Sequence, residues 1–191
     1  MFFANMFCYG SDLNAVGITG ILGCMGVVYR GATRLYAVHI PPMSAHNNAL
    51  GGSTFAEYVS GLEGDDASPG DLFFFLNGTS RASAIAEAHD IKSLMKPKTA
   101  TLFRIMTGLG KGSGSNTAEH SPSILVTHRG FMDLRYKVVP EDQYVEGGVA
   151  EAGQYLGTPG EMGSSKVPSD YLAPAGWTII TGENSYRVGI R

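Results

Sequence analysis

The amino-acid sequence predicts an α+β fold, with a mixed or antiparallel, β-sandwich-like core flanked by helices. Most apolar runs are of strand length, rich in β-branched and aromatic residues, and bounded by Gly, Pro or Asn. Helical spacing of apolar residues is clearest between Arg81 and Met95, where Ile85, Ala88 and Ile91 recur at the required intervals. The predicted order of strands, helix, strand, helix and then mostly strands favours the α+β class.

The first predicted elements are an apolar strand over residues 16–22, ending at Gly23, and a hairpin. Both hairpin arms carry β-branched and aromatic residues, and Gly31-Ala32 has the glycine that a two-residue type II′ turn requires. A fold about this turn pairs Arg30 with Thr33 and places Cys24 directly opposite His39. The hairpin therefore predicts contact between a thiol and an imidazole.

Helices and strands alternate after the hairpin. Residues 44–52 are expected to form a turn, and Thr54-Phe55-Ala56-Glu57 has the spacing of a capping box that opens a helix to about Leu62. The continuous apolar run Asp71 to Leu76 predicts a strand covered on both faces. The helix over residues 81–95 follows it, ended by Lys96-Pro97. The remaining predictions are strands at 101–107, 123–128, 132–139, 177–181 and 185–190, and a helix at 149–156.

Composition limits the possible functions. The 191 residues are enough for a single domain spanning 1–191, and no internal feature demands a second one. The net charge is −3 and the 14 Lys and Arg residues are scattered, so a nucleic-acid partner is not expected. No run approaches the ~18 apolar residues of a membrane span, and the apolar start lacks the basic region of a secretory signal.

The pair Cys24 and His39 is the candidate catalytic centre. Directly opposed residues of an antiparallel ladder have Cβ atoms about 4.5–5.5 Å apart, close enough for a histidine nitrogen to bond a cysteine sulfur. An adjacent base converts a weak thiol into a thiolate nucleophile. The two cysteines, Cys8 and Cys24, are interpreted as free thiols in a reducing compartment.

The string Leu22-Gly23-Cys24, followed by a strand and then His39-Ile40-Pro41-Pro42, resembles the bacterial Cys-His glutamine deamidases. That superfamily includes the catalytic domain of cytotoxic necrotizing factor, the lethal factor of Burkholderia and the chemoreceptor deamidase of bacterial chemotaxis. The separation of Cys24 and His39 is similar to that in the necrotizing factor. The resemblance covers roughly residues 16–139 and includes the predicted order of elements after the histidine.

The resemblance implies a deamidase-like fold and a protein glutamine or asparagine deamidase. In that interpretation Cys24 is the nucleophile and His39 the general base, while backbone N–H groups at Gly23, Cys24 or Met25 hold the oxyanion. Members of the family often carry an orienting threonine six residues before the cysteine. Here Thr19, five residues before Cys24, is the candidate third group. No metal or organic cofactor is implied.

The implied partner is a glutamine-bearing protein substrate. An effector or toxin would act on a host regulatory protein such as a Rho-family GTPase or a translation factor, after secretion by a non-Sec route. A bacterial cytoplasmic enzyme acting on chemoreceptors would use the same chemistry. The resemblance leaves both open.

Three other interpretations remain open. A transglutaminase or another cysteine hydrolase would use the same pair, whereas in a non-enzymatic binding module Cys24 and His39 would be packing residues. The Gly-rich stretch 108–115 lacks the spacing of a phosphate-binding Walker A loop and is interpreted as a mobile loop. The other histidines lack metal-ligand spacing, so no metal site is expected.

Overall fold

A computed structural model describes residues 1–5, 8–21, 23–40, 45–64, 68–77, 82–106, 122–128, 131–138, 144–146, 154–155, 166–168 and 176–191. Two helices and fourteen strands lie within these residues. They are β1 (Phe2–Ala4), β2 (Cys8–Asp12), β3 (Ala15–Ile18), β4 (Met25–Arg30), β5 (Leu35–Ile40), α1 (Ala45–Glu63), β6 (Asp71–Asn77), α2 (Ala82–Met95), β7 (Thr99–Ile105), β8 (Pro122–His128), β9 (Met132–Val138), β10 (Tyr144–Glu146), β11 (Gln154–Tyr155), β12 (Lys166–Pro168), β13 (Thr178–Ile179) and β14 (Ser185–Gly189).

The strands of the described part form two large sheets and a small one. The first sheet has the order β11-β2-β5-β4-β6-β7-β14, the second has the order β1-β3-β8-β9-β13, and β10 pairs with β12. Most neighbours are antiparallel, but β6 runs parallel to β7 and β1 runs parallel to β3. Both large sheets are therefore mixed, and the predicted α+β class is confirmed.

The two large sheets share one apolar layer. This inter-sheet layer combines buried side chains of both sheets: Phe2, Ala4, Val16, Ile18, Ile124 and Val126 from the second sheet, with Val28, Leu35, Ala37, Phe75, Phe103 and Ile105 from the first. Phe75 and Phe103 stack within it, with ring centroids 5.6 Å apart. The predicted sandwich-like core is this layer, since side chains from facing sheets interdigitate there.

The helices cover the opposite face of the first sheet. In this helix-side layer, Phe55 and Val59 of α1 and Ala88 and Ile91 of α2 join the alternate residues of the strands. Strand β6 contributes Leu72, Phe74 and Leu76 to the helix-side layer and Phe75 to the inter-sheet layer. Its continuous apolar sequence therefore reflects burial on both faces, as predicted.

Helix α1 begins nine residues earlier than the capping box predicted, at Ala45 in place of Thr54. The glycines that suggested a turn lie inside the helix. A Cβ added at Gly52 would come within 2.9 Å of Ile91 Cγ1, so the missing side chain lets α1 and α2 approach closely. Helix α2 agrees with its predicted range to within one residue.

Other differences from the predicted elements lie mainly near the chain ends. Strands β1 and β2 were not predicted, and β3 ends at Ile18 where the sequence indicated a strand to residue 22. Gln154–Tyr155 is a strand within the range expected to be helical, 149–156. The rest of that range and the Gly-rich stretch 108–115 lie outside the described residues.

In the part of the chain that the structure describes, no helix combines the length and apolarity needed to cross a membrane.

Candidate active site

The hairpin of β4 and β5 has a different register from the one predicted. The pairs run from Met25 with Ile40 to Arg30 with Leu35, and they place Gly26, not Cys24, opposite His39. The loop contains four residues, 31–34, and the Gly31 N–H donates to the Arg34 carbonyl over 2.9 Å. The predicted two-residue turn is therefore wrong, and the ladder is shifted by two residues.

The side chain of Glu63, at the end of α1, explains this longer loop. Its Oε2 accepts the Ala32 N–H at 2.9 Å, and its Oε1 accepts the Tyr36 hydroxyl at 2.6 Å. A Cβ at Gly31 would lie 2.1 Å from Glu63 Oε1, so the glycine leaves room for the carboxylate. The turn is set by a contact with a residue about 30 positions further along the chain.

The shift keeps Cys24 and His39 on the same face of the sheet, because side-chain direction alternates with a period of two. Cys24 immediately precedes β4 and lies two residues before Gly26, the partner of His39. The pair is consequently diagonal. Diagonal neighbours have Cα atoms about 7–8 Å apart and Cβ atoms somewhat closer, a spacing that long or aromatic side chains can bridge.

Two glycines with a left-handed backbone conformation, Gly20 and Gly23, precede Cys24. Gly20 has φ +60° and Gly23 has φ +64°, values that residues with a Cβ rarely adopt. Cys24 is 4% exposed and belongs to the inter-sheet layer, whereas the side chain of Met25 points to the helix-side layer. The left-handed Gly23 thus turns the chain so that the thiol enters the core between the sheets.

His39 also lies on the inter-sheet side, and it is only 1% exposed. Neither ring nitrogen has a hydrogen-bond partner of regular geometry among the described residues. Burial lowers the pKa of His39 to about 4, against the opposing influence of the adjacent Ala4 and Thr19 backbone, which favours the protonated ring. The imidazole is therefore neutral at pH 7 and can accept a proton.

The structure places Thr19 near His39, but not with the contact that the resemblance implied. The Thr19 hydroxyl donates to Asn5 Oδ1 at 2.5 Å, and both residues are buried. It is the backbone of Thr19 that lies beside the imidazole. Sequence reasoning missed Asn5, although it is the one strongly polar residue among the first eight.

The side of Gly26 that faces the inter-sheet layer is covered by isoleucine side chains. A Cβ added there would come within 2.8 Å of Ile21 Cδ1 and 2.9 Å of Ile18 Cδ1. The residue directly opposite His39 therefore contributes no side chain. Isoleucine side chains therefore occupy the space opposite His39, while the backbone of Ala4 and Thr19 lies beside its ring.

No family model, curated protein or solved structure matches the chain. Within the described residues, no cluster of three or more His, Cys, Asp or Glu side chains is placed to bind a metal ion.

Proposed function

We propose that the protein is a cysteine amide hydrolase of the deamidase type, with Cys24 as nucleophile and His39 as general base. One observation carries the proposal: a buried imidazole, whose ring nitrogens have no hydrogen bond of regular geometry among the described residues, lies on the same sheet face as a thiol that follows a left-handed glycine. The deamidase interpretation of the sequence depends on this pair, and the two-residue shift in register leaves both residues on the same face of the sheet.

The energetic cost of His39 supports a chemical role. A buried polar group without a hydrogen bond destabilises the folded state by about 1–3 kcal/mol. An apolar side chain of similar size would fill the same space between the sheets without that penalty. Buried unsatisfied groups in native proteins call for such an explanation, and catalysis is one of the recognised ones.

In the first chemical step, the Cys24 sulfur attacks the amide carbon of a glutamine or asparagine side chain. His39 accepts the thiol proton as the sulfur–carbon bond forms. Because burial disfavours the imidazolium, the resting imidazole is neutral and takes up its proton only as the reaction proceeds. Backbone N–H groups at Gly23, Cys24 or Met25 are the candidate donors to the oxyanion.

In the second step, the tetrahedral intermediate collapses and the carbon–nitrogen bond breaks. His39 gives its proton to the departing ammonia, which leaves an acyl thioester on Cys24. The neutral imidazole then takes a proton from water, whose oxygen attacks the thioester carbon and releases a carboxylate. The thiol recovers its proton from His39, so the cycle consumes water and produces ammonia.

The burial of both groups restricts what can react. Cys24 is 4% exposed and His39 is 1% exposed, so the substrate has to displace neighbouring side chains before its amide meets the sulfur. A slender, flexible side chain such as glutamine suits that approach better than a main-chain peptide bond. We assign the substrate class as a protein-borne side-chain amide. The proposed targets are a host Rho-family GTPase or translation factor, for an effector, or a bacterial chemoreceptor.

Mass spectrometry tests the proposed reaction. The protein is incubated with purified Rho-family GTPase, translation factor and chemoreceptor, and each target is measured intact and as peptides. We expect a gain of about one dalton at a glutamine or asparagine, from the replacement of NH₂ by OH. Cys24→Ser should abolish the gain and Cys8→Ser should retain it. Amine conjugation would indicate a transglutaminase, cleavage would indicate a protease, and either result would contradict the deamidase proposal.

Burial favours a second candidate function, a non-enzymatic binding module in which Cys24 and His39 only fill the inter-sheet layer. Free cysteine is commonly a small buried hydrophobe. This alternative predicts that none of the incubated target proteins gains mass. It also predicts that any activity the protein shows is the same in Cys24→Ala and His39→Leu as in the wild type. Loss of the effect in Cys24→Ser, with the fold intact, would exclude it.

A further inference from the structure

The buried Asn5 and Thr19 form a polar pair at the edge of the inter-sheet layer. Asn5 is 7% exposed and Thr19 is 6% exposed, and the hydroxyl-to-amide distance is 2.5 Å. Each follows directly after a strand, Asn5 after β1 and Thr19 after β3. The pair therefore joins the carboxyl ends of two parallel strands.

Backbone hydrogen bonds extend this connection in both directions. The Thr19 N–H donates to the Ala4 carbonyl at 3.0 Å, and the Cys8 N–H donates to the Asn5 carbonyl at 2.8 Å. On the other side, the Ile21 N–H donates to the Pro122 carbonyl at 2.9 Å. Residues 19–21 are thus held between β1 and β8, a few positions before the thiol.

The same segment contacts the imidazole. The backbone of Ala4 and Thr19 lies beside the His39 ring. Ile18 and Ile21 cover Gly26, the residue opposite His39. A change in the Asn5 and Thr19 contact would consequently move the groups that surround His39, even though neither side chain is hydrogen-bonded to it among the described residues.

We propose that Asn5 is a positioning residue for the candidate active site: through its bond to the Thr19 hydroxyl it fixes residues 19–21, and so holds the His39 imidazole in one orientation relative to Cys24. This inference rests on the proposed function for its catalytic meaning. The orientation of His39 is nevertheless measurable without any substrate.

The test combines NMR with thiol alkylation in the full-length chain carrying Cys8→Ser, so that Cys24 is the only cysteine. Ring nitrogen shifts, assigned to His39 with a His39→Gln variant, report its tautomer. The variants are Asn5→Ala, Thr19→Val, their combination and Thr19→Ser. The matched control is Thr101→Val, the same change at a buried threonine on β7, which is separated from β5 by β4 and β6.

We expect one neutral His39 tautomer in the wild type and in Thr19→Ser, which keeps the hydroxyl. In Asn5→Ala and Thr19→Val, the ring nitrogen chemical shifts of His39 should move toward the averaged values of an imidazole that exchanges between its two neutral tautomers. The rate of Cys24 alkylation should fall about five- to tenfold, the effect of losing one hydrogen bond. The combined variant should be no slower than the slower single variant, since both remove the same contact. Thr101→Val should match the wild type.

The two proposals fail separately. If Asn5→Ala and Thr19→Val leave the His39 shifts unchanged, the positioning role is wrong, whatever the alkylation rates. If those shifts change but His39→Gln alkylates as fast as the wild type, the positioning role holds and the catalytic pair is wrong. If Thr19→Val does not fold, the positioning role is tested by comparing Asn5→Ala with Thr19→Ser, using the same NMR shifts and alkylation rates.

Discussion

At the scale of single residues, His39 is the proposed general base of the candidate site, and its burial opposes its charged form. Its two ring nitrogens lie in an apolar layer where burial lowers its pKa to about 4. Burial keeps the imidazole in the neutral form that accepts a proton at pH 7, but its pKa of about 4 lies well below the operating pH that suits a general base best. The same burial opposes the imidazolium, so in the proposed mechanism the proton reaches His39 only as the sulfur attacks the substrate.

The lowered pKa of His39 predicts a specific dependence of stability on pH. An unfolded histidine has a pKa of about 6.5, so between pH 6.5 and 4 the unfolded chain binds a proton at this position that the folded chain does not. The free energy of unfolding should therefore fall as the pH drops through this window, and His39 should contribute no slope above it. Denaturant titrations at pH 7.5, 6 and 5 measure this.

A His39→Leu variant isolates that contribution, because the other titrating groups are common to both proteins. The variant should be at least as stable as the wild type at pH 7.5, and its advantage should grow toward pH 5. A wild type and variant whose free energies of unfolding change in parallel over this range would contradict the buried, neutral state of His39.

Asn5 shows what residue-level sequence reasoning misses. The thiol of Cys24, the imidazole of His39 and the turn at Gly23 could be selected from the sequence because each has a recognisable residue type and spacing. Asn5 could not be assigned, since its partner Thr19 belongs to a different strand and the parallel pairing of β1 with β3 is non-local. The available signal in the sequence was that Asn5 is a single polar residue within an otherwise apolar N-terminal segment.

At the scale of elements, local periodicity predicted β4, β5, β6 and α2 well. The register of β4 with β5 was not predictable from the hairpin alone. A glycine at the first loop position favours a two-residue turn, but the Glu63 carboxylate holds a four-residue loop from the end of α1. A distant charged side chain overrides local turn preference, and the shift moves Cys24 from directly opposite His39 to a diagonal position.

The contact between Glu63 and the hairpin loop predicts a loss of stability in Glu63→Ala. The substitution leaves the buried Tyr36 hydroxyl and the Ala32 N–H without their acceptor, and we expect a cost of about 1–3 kcal/mol. Gly31→Ala should cost a similar amount because its methyl would collide with the carboxylate. Denaturant unfolding of each variant provides the measurement.

Two variants serve as controls for this prediction. Glu87→Ala removes a carboxylate on α2 that forms no ion pair or hydrogen bond among the described residues. Gly61→Ala adds a methyl to α1 where no atom lies within 4 Å, and it should stabilise the protein by about 0.5–1 kcal/mol. Equal losses in Glu63→Ala and Glu87→Ala would mean that the loop contact contributes nothing.

At the scale of the whole molecule, two apolar layers enclose the first sheet. The helices lie on one face and the second sheet lies on the other, so β4, β5 and β6 are covered on both sides. The candidate site lies between the sheets, where water is excluded and electrostatic interactions are strong. The sequence predicted this architecture in outline because buried strands have distinctive composition, but the short strands β1 and β2 gave no clear pattern.

This layering predicts the pattern of amide hydrogen exchange. Backbone amides of β4 and β6 should be the slowest to exchange, since both strands are central and covered on both faces. Amides of β13 and β14, at sheet edges among the described strands and with mostly exposed side chains, should exchange much faster. Equal protection in β4 and β14 would contradict the assignment of the core.

Alkylation of Cys24 by iodoacetamide, followed by mass spectrometry from pH 5 to 9, tests the pairing of thiol and imidazole most directly. The measurement uses the Cys8→Ser chain, with His39→Ala as the test and His128→Ala as the matched control. We expect His39→Ala to slow alkylation at pH 7 about tenfold or more, as for loss of a general base, and His128→Ala to leave the rate unchanged. An unchanged rate in His39→Ala, with the profile of an ordinary thiol of pKa about 8.5, would contradict the pairing.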